Sequence, residues 1–292
     1  MSFSKDELER YARHIMLKDV GGPGQQKLKA ASVALIGAGG LGSPAALYLA
    51  AAGIGRLRLI DPDHVALSNL QRQILFRTED AGRLKVDAAA EQLTALNPNV
   101  TVEIVDKSID AANADALLDG CEVVLDGCDN FETRFAVSDS CWRAGRYLVS
   151  GAIGRWDGQL STFVRGSTPQ RLRTDSPAVA SGADPQPTTA PSSALQTGGA
   201  NTLAAPSDSP CYRCLVNAAP DNAEPCSMVG VVGPLCGIIG GAMALEALKI
   251  ITGAGRNLIG RLAIFDALAW RWREVRLEPD PDCPGCSSSR NS

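Results

Sequence analysis

The chain has 292 residues, 45% hydrophobic and 21% charged, with a net charge of −4: enough for one large α/β domain or two small ones, in the balance of an ordinary globular protein. A sequence pI near 5.3 lacks the basic footprint of nucleic-acid binders, so no nucleic-acid partner is expected. The opening residues hold no apolar signal core and the apolar runs at 45–52 and 237–245 are too short to span a bilayer, which leaves no membrane partner and a cytoplasmic location as the expectation.

Residues 1–30 are polar with helical spacing, and Leu8, Tyr11, Ile15 and Met16 fall on one stripe. The run Gly21-Gly22-Pro23-Gly24 breaks that pattern and marks off an N-terminal helical arm. A nearly all-apolar strand is predicted at 32–37, buried on both faces. A glycine turn, an alanine-rich helix at 43–53 and a strand at 56–61 follow. Strand, loop, helix and strand within about 30 residues is the opening unit of a doubly wound sheet. The alternation continues with helices at 85–96, 111–118 and 133–144. Strands alternate with them at 100–105, 123–126 and 147–150, and a more exposed strand is expected at 159–165. The expected class is therefore α/β, a Rossmann-like doubly wound sheet, with 31–166 as its nucleotide-binding core.

Composition shifts at Ser167. Residues 167–210 carry seven prolines, no aromatics and five charges. That is too little apolar surface to offset ordering entropy, and a disordered low-complexity insertion is expected. Residues 211–292 are expected to complete the same domain, with a long apolar helix at 237–252 and strands at 259–266 and 271–277.

The chemistry begins at Gly37-Ala-Gly39-Gly40-Leu-Gly42. Small residues let the backbone approach a phosphate, and the following helix offers unpaired N–H groups. Asp61 ends the next strand, 19 residues after Gly42, where an acidic side chain grips ribose hydroxyls. This pattern predicts a nucleotide without choosing between ATP and a dinucleotide. Ser68-Asn69-Leu-Gln-Arg72-Gln73, followed by Lys85, bears on the choice. A hydride-transferring enzyme has no need of cations there, whereas a nucleotidyl transferase has. Each uncompensated like-charge pair at about 4 Å costs on the order of 4 kcal/mol at an effective dielectric near 20. Arg72, Lys85 and a magnesium ion would cancel much of the repulsion between a triphosphate and an attacking carboxylate.

Leu125-Asp126-Gly-Cys-Asp129-Asn130 ends a later strand, where open sheets bind ligands. Asp126 or Asp129 is suited to hold that magnesium, although turn chemistry favours the same residues. Two pairs, Cys211-x-x-Cys214 and Cys283-x-x-Cys286, supply four thiolates. They would close a tetrahedral zinc site, which is then structural. Cys226 lies in a polar loop between the first pair and the long helix, either a thiol nucleophile or an incidental surface thiol. Cys236, inside the apolar helix, reads as packing.

Together these stretches resemble the MoeB/ThiF/HesA family, bacterial relatives of the ubiquitin-activating enzymes, over nearly all of the chain outside 167–210. The resemblance rests on Arg10-Tyr-Ala-Arg13-His-Ile, the 37–42 turn, the 67–73 run, Gly82-Arg-Leu-Lys85, Asp126-Gly-Cys-Asp129-Asn130, Pro210-Cys-Tyr-Arg-Cys214, Gly230-Val-Val-Gly-Pro234 and the final CxxC. It implies an ATP-dependent adenylyltransferase that activates the C-terminal glycine of a ubiquitin-like sulfur-carrier protein ending in Gly-Gly. The pattern leans to the molybdopterin branch, for molybdenum cofactor biosynthesis, over the thiamine branch. By resemblance, Gly40 lies against the phosphates, Asp61 binds the ribose and Ser68 belongs to the nucleotide-binding run. Asn69, Arg72 and Lys85 contact the triphosphate, and Asp129 holds magnesium. Arg13 matches an arginine that enters the neighbouring subunit's site, which implies a homodimer. Cys226 falls where the thiamine branch links covalently to its carrier. The 167–210 insertion departs from the family pattern. So does the lack of a rhodanese-like extension, which implies a separate sulfur donor such as a cysteine desulfurase or rhodanese.

The implied reaction needs no general base, because a terminal carboxylate with a pKa of about 3.5 is already ionised at neutral pH. Rival readings are a nicotinamide-dependent oxidoreductase, resting on the glycine turn and Asp61 alone, an enzyme activating a carboxylate on modified tRNA, and a non-catalytic scaffold.

Overall fold

A computed structural model describes residues 2–166, 209–219 and 230–287. The predicted insertion, apart from its last two residues, and Cys226 lie outside the described residues.

The polar N-terminus forms α1 (Lys5–Arg10) and α2 (Ala12–Ile15). Ser4 and Glu7 cap α1 reciprocally, satisfying two N–H groups that the helix leaves orphaned. The glycine–proline run does not end the helical arm, as its composition suggested. Gly21 turns the chain at a φ of +59°, and Pro23 sits in the first turn of α3 (Gly21–Ala30), where its missing N–H costs nothing. Of the apolar stripe, Tyr11 is buried while Leu8 and Met16 stay exposed. The Tyr11 hydroxyl accepts from Asn97 Nδ2 at 2.9 Å.

The central unit runs β1 (Ser32–Ile36), α4 (Gly42–Ala52), β2 (Arg56–Ile60), α5 (Lys85–Leu96), β3 (Thr101–Val105), α6 (Ala114–Leu117), β4 (Val123–Asp126), α7 (Phe131–Ala144), β5 (Tyr147–Gly154) and β6 (Asp157–Phe163). Between the two undescribed internal stretches lies α8 (Tyr212–Leu215), and after the second come α9 (Gly233–Thr252), β7 (Arg261–Asp266) and β8 (Arg271–Arg276). The eight strands among the described residues form one sheet in the order β3-β2-β1-β4-β5-β6-β7-β8. The first five are mutually parallel, and β5 to β8 form an antiparallel meander.

Burial on both faces follows from the two-residue period of β1. Val33 and Leu35 join the core beneath α4, α5 and α9, while Ala34 and Ile36 join the core beneath α6 and α7. Helix α9 is long and apolar enough to cross a membrane, yet it is a core helix here. Leu235, Ile239, Met243, Ala247 and Ile250 are buried on one stripe against α4, β5 and β6. It starts four residues earlier than predicted because Pro234 fits its first turn. The helix predicted at 111–118 shrinks to four residues. There Asp110 Oδ1 accepts from the N–H groups of Ala112 and Asn113 at 2.8 and 3.0 Å, a local bond that competes with helix extension.

Candidate nucleotide site and metal centre

Strand order reverses between β1 and β4, and a crevice opens at their carboxyl ends. The cleft there has a volume of about 260 Å³. Gly37 adopts a φ of +83°, and a Cβ on it would meet Gly127 O at 3.3 Å. The turn after β1 can lie this close to the turn after β4 because position 37 is glycine. A Cβ on Gly40 would meet Cys236 Sγ at 2.9 Å and Arg72 Cδ at 3.6 Å. This cradle of bare backbone at the start of α4 suits a phosphate.

Asp61 is buried beside it. Its Oδ2 accepts from Ala38 N at 2.7 Å and its Oδ1 from Asp63 N at 2.8 Å, so Asp61 is anchored to the glycine turn itself. Burial pushes the Asp61 carboxyl above its ordinary value, against the opposing charge of Lys85. Lys85 opens α5 with its ammonium 2.8 Å from Asp63 Oδ2 and 3.9 Å from Asp61 Oδ2. Its stem is 95% buried, which fixes the cation at the cleft wall.

The second turn places its two aspartates in different surroundings. Asp126 is closed off by its neighbours. Its Oδ1 accepts from Cys128 N at 3.1 Å and from Cys128 Sγ at 2.7 Å. Its Oδ2 accepts from Arg134 Nη1 at 3.2 Å and from Ser150 Oγ at 3.0 Å. Arg134 Nη2 goes on to donate to Cys128 O at 2.6 Å and Gly151 O at 2.9 Å. Burial pulls the Arg134 pKa down, but Asp126, Cys128 and Tyr212 together more than offset it and hold the guanidinium charged. Asp129, by contrast, is exposed at the cleft mouth. The Cys128 thiol is pushed well up, first by burial and then by Asp126, so it is a neutral donor here and not a nucleophile.

Of the residues singled out from sequence, Gly37, Gly39, Gly40, Asp61, Arg72, Lys85 and Asp129 come together in the cleft lining. Gly42 lies beneath as the first residue of α4. Ser68 and Asn69 stand one turn behind the wall. Ser68 O accepts from Arg72 Nη1 at 3.3 Å, and Asn69 O accepts from the N–H groups of Arg72 and Gln73 at 3.1 and 2.9 Å. Arg13 is exposed on α2, away from this chain's own cleft. Sequence reasoning missed Lys107, Ser108 and Arg134, and gave Gln73 no role. Lys107 and Ser108 follow β3 at its carboxyl end, so the same edge rule that found Asp129 would have found them.

At the other end of the chain, the sulfurs of Cys211, Cys214, Cys283 and Cys286 all lie within 4.8 Å of one another. Cys214 Sγ also accepts from Asp280 N, and Cys283 Sγ from Gly285 N, each at 3.4 Å. Hydrogen bonds led by that from Cys211 hold the Cys214 thiol down, while its bond to Cys214 pushes Cys211 up and burial pushes Cys286 up. Cys211, Cys283 and Cys286 are buried and Cys214 half-buried; the cluster could bind a metal ion, and an all-cysteine donor set fits zinc. The centre is tied to α7. Arg213 donates to both oxygens of Asp139 at 2.8 Å and lies 4.2 Å from the Phe135 ring centroid. Tyr212 packs edge-on against Phe135 and Phe163, and its hydroxyl meets the Arg134 guanidinium.

A glycine cradle with cations at the switch point of an open sheet defines a nucleotide-binding enzyme. Solved structures share the fold. The microcin C7 biosynthetic enzyme MccB in complex with N-formylated MccA matches with a TM-score of 0.72 at 20% identity, over 95% of this chain and 74% of that one. PaaA matches with a TM-score of 0.69 at 24% identity, over 95% of this chain and 76% of that one. Sequence relatives are nearer. A sulfur carrier protein adenylyltransferase of Thermus thermophilus is 38% identical over 98% of this chain and 93% of its own length. A SAMP-activating enzyme E1 of Haloferax volcanii is 36% identical over 98% of this chain and 91% of its own. The probable adenylyltransferase/sulfurtransferase MoeZ of Mycobacterium tuberculosis is 36% identical, and this chain spans 63% of that longer protein. The ThiF family model matches residues 11–285. The chain belongs to the ThiF family, and like these relatives it is an adenylyltransferase.

Proposed function

We propose that this adenylyltransferase activates the C-terminal carboxylate of a ubiquitin-like sulfur-carrier protein. A carboxylate oxygen attacks the α-phosphorus of ATP, the bond to the β-phosphate breaks, and the products are a carrier acyl-adenylate and pyrophosphate. The observation that carries the reading is the placement of Arg72, Lys85 and Asp129 around a bare glycine turn anchored to Asp61. Those groups suit two anionic reactants better than a hydride donor. The enzyme's work is positioning and charge neutralisation. Arg72 and Lys85 serve the phosphates, with Ser68 and Asn69 holding Arg72's loop. Asp129 would hold magnesium, which supplies positive charge to the phosphates when bound. Zinc would be held by the four clustered cysteines in a purely structural role.

The carrier class is supported by the activity of the Thermus relative, a sulfur carrier protein adenylyltransferase, and by an exposed apolar surface on the antiparallel half of the sheet. Trp156, Leu268, Trp270 and Trp272 are all exposed there, beside the Ile153 and Val231 side of the cleft. Large exposed aromatics grouped in this way suit a protein partner. The molybdopterin-branch carrier is the favoured substrate, with the thiamine-branch carrier as the alternative and Cys226 as its candidate covalent link. A separate sulfur donor would follow, and the free thiols of Cys121, Cys141 and Cys236 fit a reducing, cytoplasmic setting.

A homodimer belongs to the same reading. A groove lined by His14, Tyr48, Gly241, Leu245 and Leu248 adjoins exposed Met16 and Leu17. A second copy covering it would bring Arg13, the neighbour of His14, to bear on the opposite cleft.

The test is exchange of labelled pyrophosphate into ATP with each purified carrier in turn. Exchange should require a carrier with an intact Gly-Gly end and should vanish in a folded Asp129→Ala protein. Normal exchange in that variant, or NADH binding without ATP binding, would sink the reading.

A further inference from the structure

Tyr212 and Arg213 lie between the first two cysteines of the cluster, and both side chains leave it for α7. Arg213 is held from two directions. It donates to Asp139 and lies over the Phe135 ring, while a Cβ on Gly285, inside the second cysteine pair, would meet Arg213 Cδ at 2.8 Å. Tyr212 reaches further. Its buried ring packs edge-on against Phe135 and Phe163, contacts that a phenylalanine would make as well. The hydroxyl adds what phenylalanine could not, because it meets the Arg134 guanidinium. That guanidinium organises the cleft floor. Nη1 donates to Asp126 Oδ2 and Ser150 Oγ, and Nη2 donates to Cys128 O and Gly151 O. Asp129 then stands between two fixed neighbours. Cys128 is held at its carbonyl by Arg134 at 2.6 Å, and Asn130 caps α7 by accepting from Thr133 N at 2.8 Å.

We infer that Tyr212 is a positioning residue for the nucleotide site: through Arg134 it fixes the 127–130 turn and so presents Asp129 to magnesium. The four acceptors of Arg134 belong to β4, β5 and the turn between β4 and α7. The Tyr212 hydroxyl ties that group to the C-terminal part of the chain, from a helix held at both ends by cysteines. Tyr212 itself stands behind the cleft lining, whereas Arg134, Cys128 and Asp129 form part of it. Magnesium demands near-ideal octahedral geometry and gives up its waters reluctantly, so a carboxylate displaced by a small amount binds it less well. The cysteine cluster thereby acts on the cleft without touching it. This inference rests on the reading of Asp129 as the magnesium ligand.

The test is a magnesium titration of ATP binding, followed by calorimetry on the full chain with its zinc content checked and no carrier present. Tyr212→Phe keeps the ring and removes the hydroxyl. It should raise the half-saturating magnesium concentration about 3- to 10-fold, the size of effect that one contact outside a site carries. Zinc content and the urea midpoint should stay nearly unchanged. Arg213→Gln separates positioning from packing. It weakens the hold of α8 on α7 but keeps the hydroxyl, so it should lower the urea midpoint and leave the magnesium midpoint within about twofold. In an Arg134→Lys background, Tyr212→Phe should add less than about twofold, because the hydroxyl acts through the guanidinium. An unchanged magnesium midpoint in Tyr212→Phe, an equal shift in Arg213→Gln, or the full effect in the Arg134→Lys background would overturn the inference and leave Asp129 as the magnesium ligand. A midpoint that Asp129→Asn does not move would overturn the reading of Asp129 and the inference with it.

Discussion

Replacing Arg134 by methionine would strand the Asp126 carboxylate, which is 99% buried, with Ser150 Oγ and Cys128 as its remaining donors. Breaking a buried ion pair from one side costs about 3–5 kcal/mol. Cys128 O and Gly151 O each lose a donor as well, at roughly 1 kcal/mol apiece. Against a total stability of about 5–15 kcal/mol, the single variant should be barely folded. Adding Asp126→Asn removes the stranded charge, and the double variant should recover at least ~2 kcal/mol through the coupling between contacting sites. Urea unfolding followed by tryptophan fluorescence reads both. Arg134→Lys is the variant for activity. It keeps the charge but cannot span the acceptors that the guanidinium fork reaches, so it should cost ~1–3 kcal/mol and remain folded. Exchange should nevertheless fall well beyond any unfolded fraction, because Arg134 holds Cys128 O and so sets where Asp129 stands. If Arg134→Met lost less than ~1 kcal/mol, or if the double variant were no more stable than the single, the closed ion-pair account of Asp126 would be wrong.

Four further outcomes follow from the same geometry. Metal analysis should find one zinc per chain, lost on Cys286→Ser; if the centre contributes ~3 kcal/mol, its removal should lower Tm by roughly 6–12 °C, and an unchanged Tm would show that the cluster holds nothing. Burial raises the Asp61 pKa and Lys85 opposes the rise, so ATP binding should be complete above that raised value and lost as pH falls through it, on a limb above the ordinary carboxyl value of 3.8. Lys85→Met should move this limb higher still, whereas a limb that moved down would contradict the assignment. Folding stability runs the other way, since the protonated form is the better buried one and stability falls as pH rises through the raised pKa. Asp126→Asn should weaken folding, whereas Asp129→Asn should leave unfolding unchanged and raise the magnesium concentration needed for exchange. Co-expressed Arg13→Ala and Asp129→Ala chains, each inactive alone, should regain part of the exchange activity through mixed dimers; no recovery in a purified heterodimer would remove Arg13 from the partner's site.

The parallel half of the sheet was legible because its strands are short apolar runs bounded by glycine, and a strand buried on both faces has few other sequences available to it. The glycine turn, Asp61 and the cysteine pairs were legible for a related reason, since their residue types are dictated by backbone approach or by ligand count. What escaped was whatever depended on a neighbour distant in sequence. Nothing near Asp126 announces that Arg134, one turn into a helix, will consume it, and an arginine on a helix ordinarily reads as surface. The Gly21–Gly24 run misled because a proline in a first turn and a proline that breaks a helix look alike in sequence. Residues 111–118 misled because Asp110 and Asn113 offer the backbone a local alternative that apolar spacing does not register.

The charges of the cleft are sorted by depth, and the sorting bears on what must be added before two anions can react there. At the bottom Asp126 and Arg134 neutralise each other. Midway, Lys85 is shared between Asp61 and Asp63. Asp129, Arg72 and Lys107 stand in the outer lining. Four carboxylates thus face four cations, and this chain's own cleft is close to neutral. ATP brings about four negative charges and the carrier tail one more, each uncompensated pair costing on the order of 4 kcal/mol at close range and intermediate dielectric. The balance therefore has to come from outside the chain's own side chains. On the proposed reading, a magnesium ion at exposed Asp129 would supply two positive charges, and Arg13 of a second copy a third. Asp129 is the one acidic group of the cleft that neither an arginine nor a lysine claims among the described residues, which is the state a metal ligand needs. On this account the site is incomplete in a lone chain, and ATP, metal, second copy and carrier should bind with positive coupling, each reducing the repulsion met by the next.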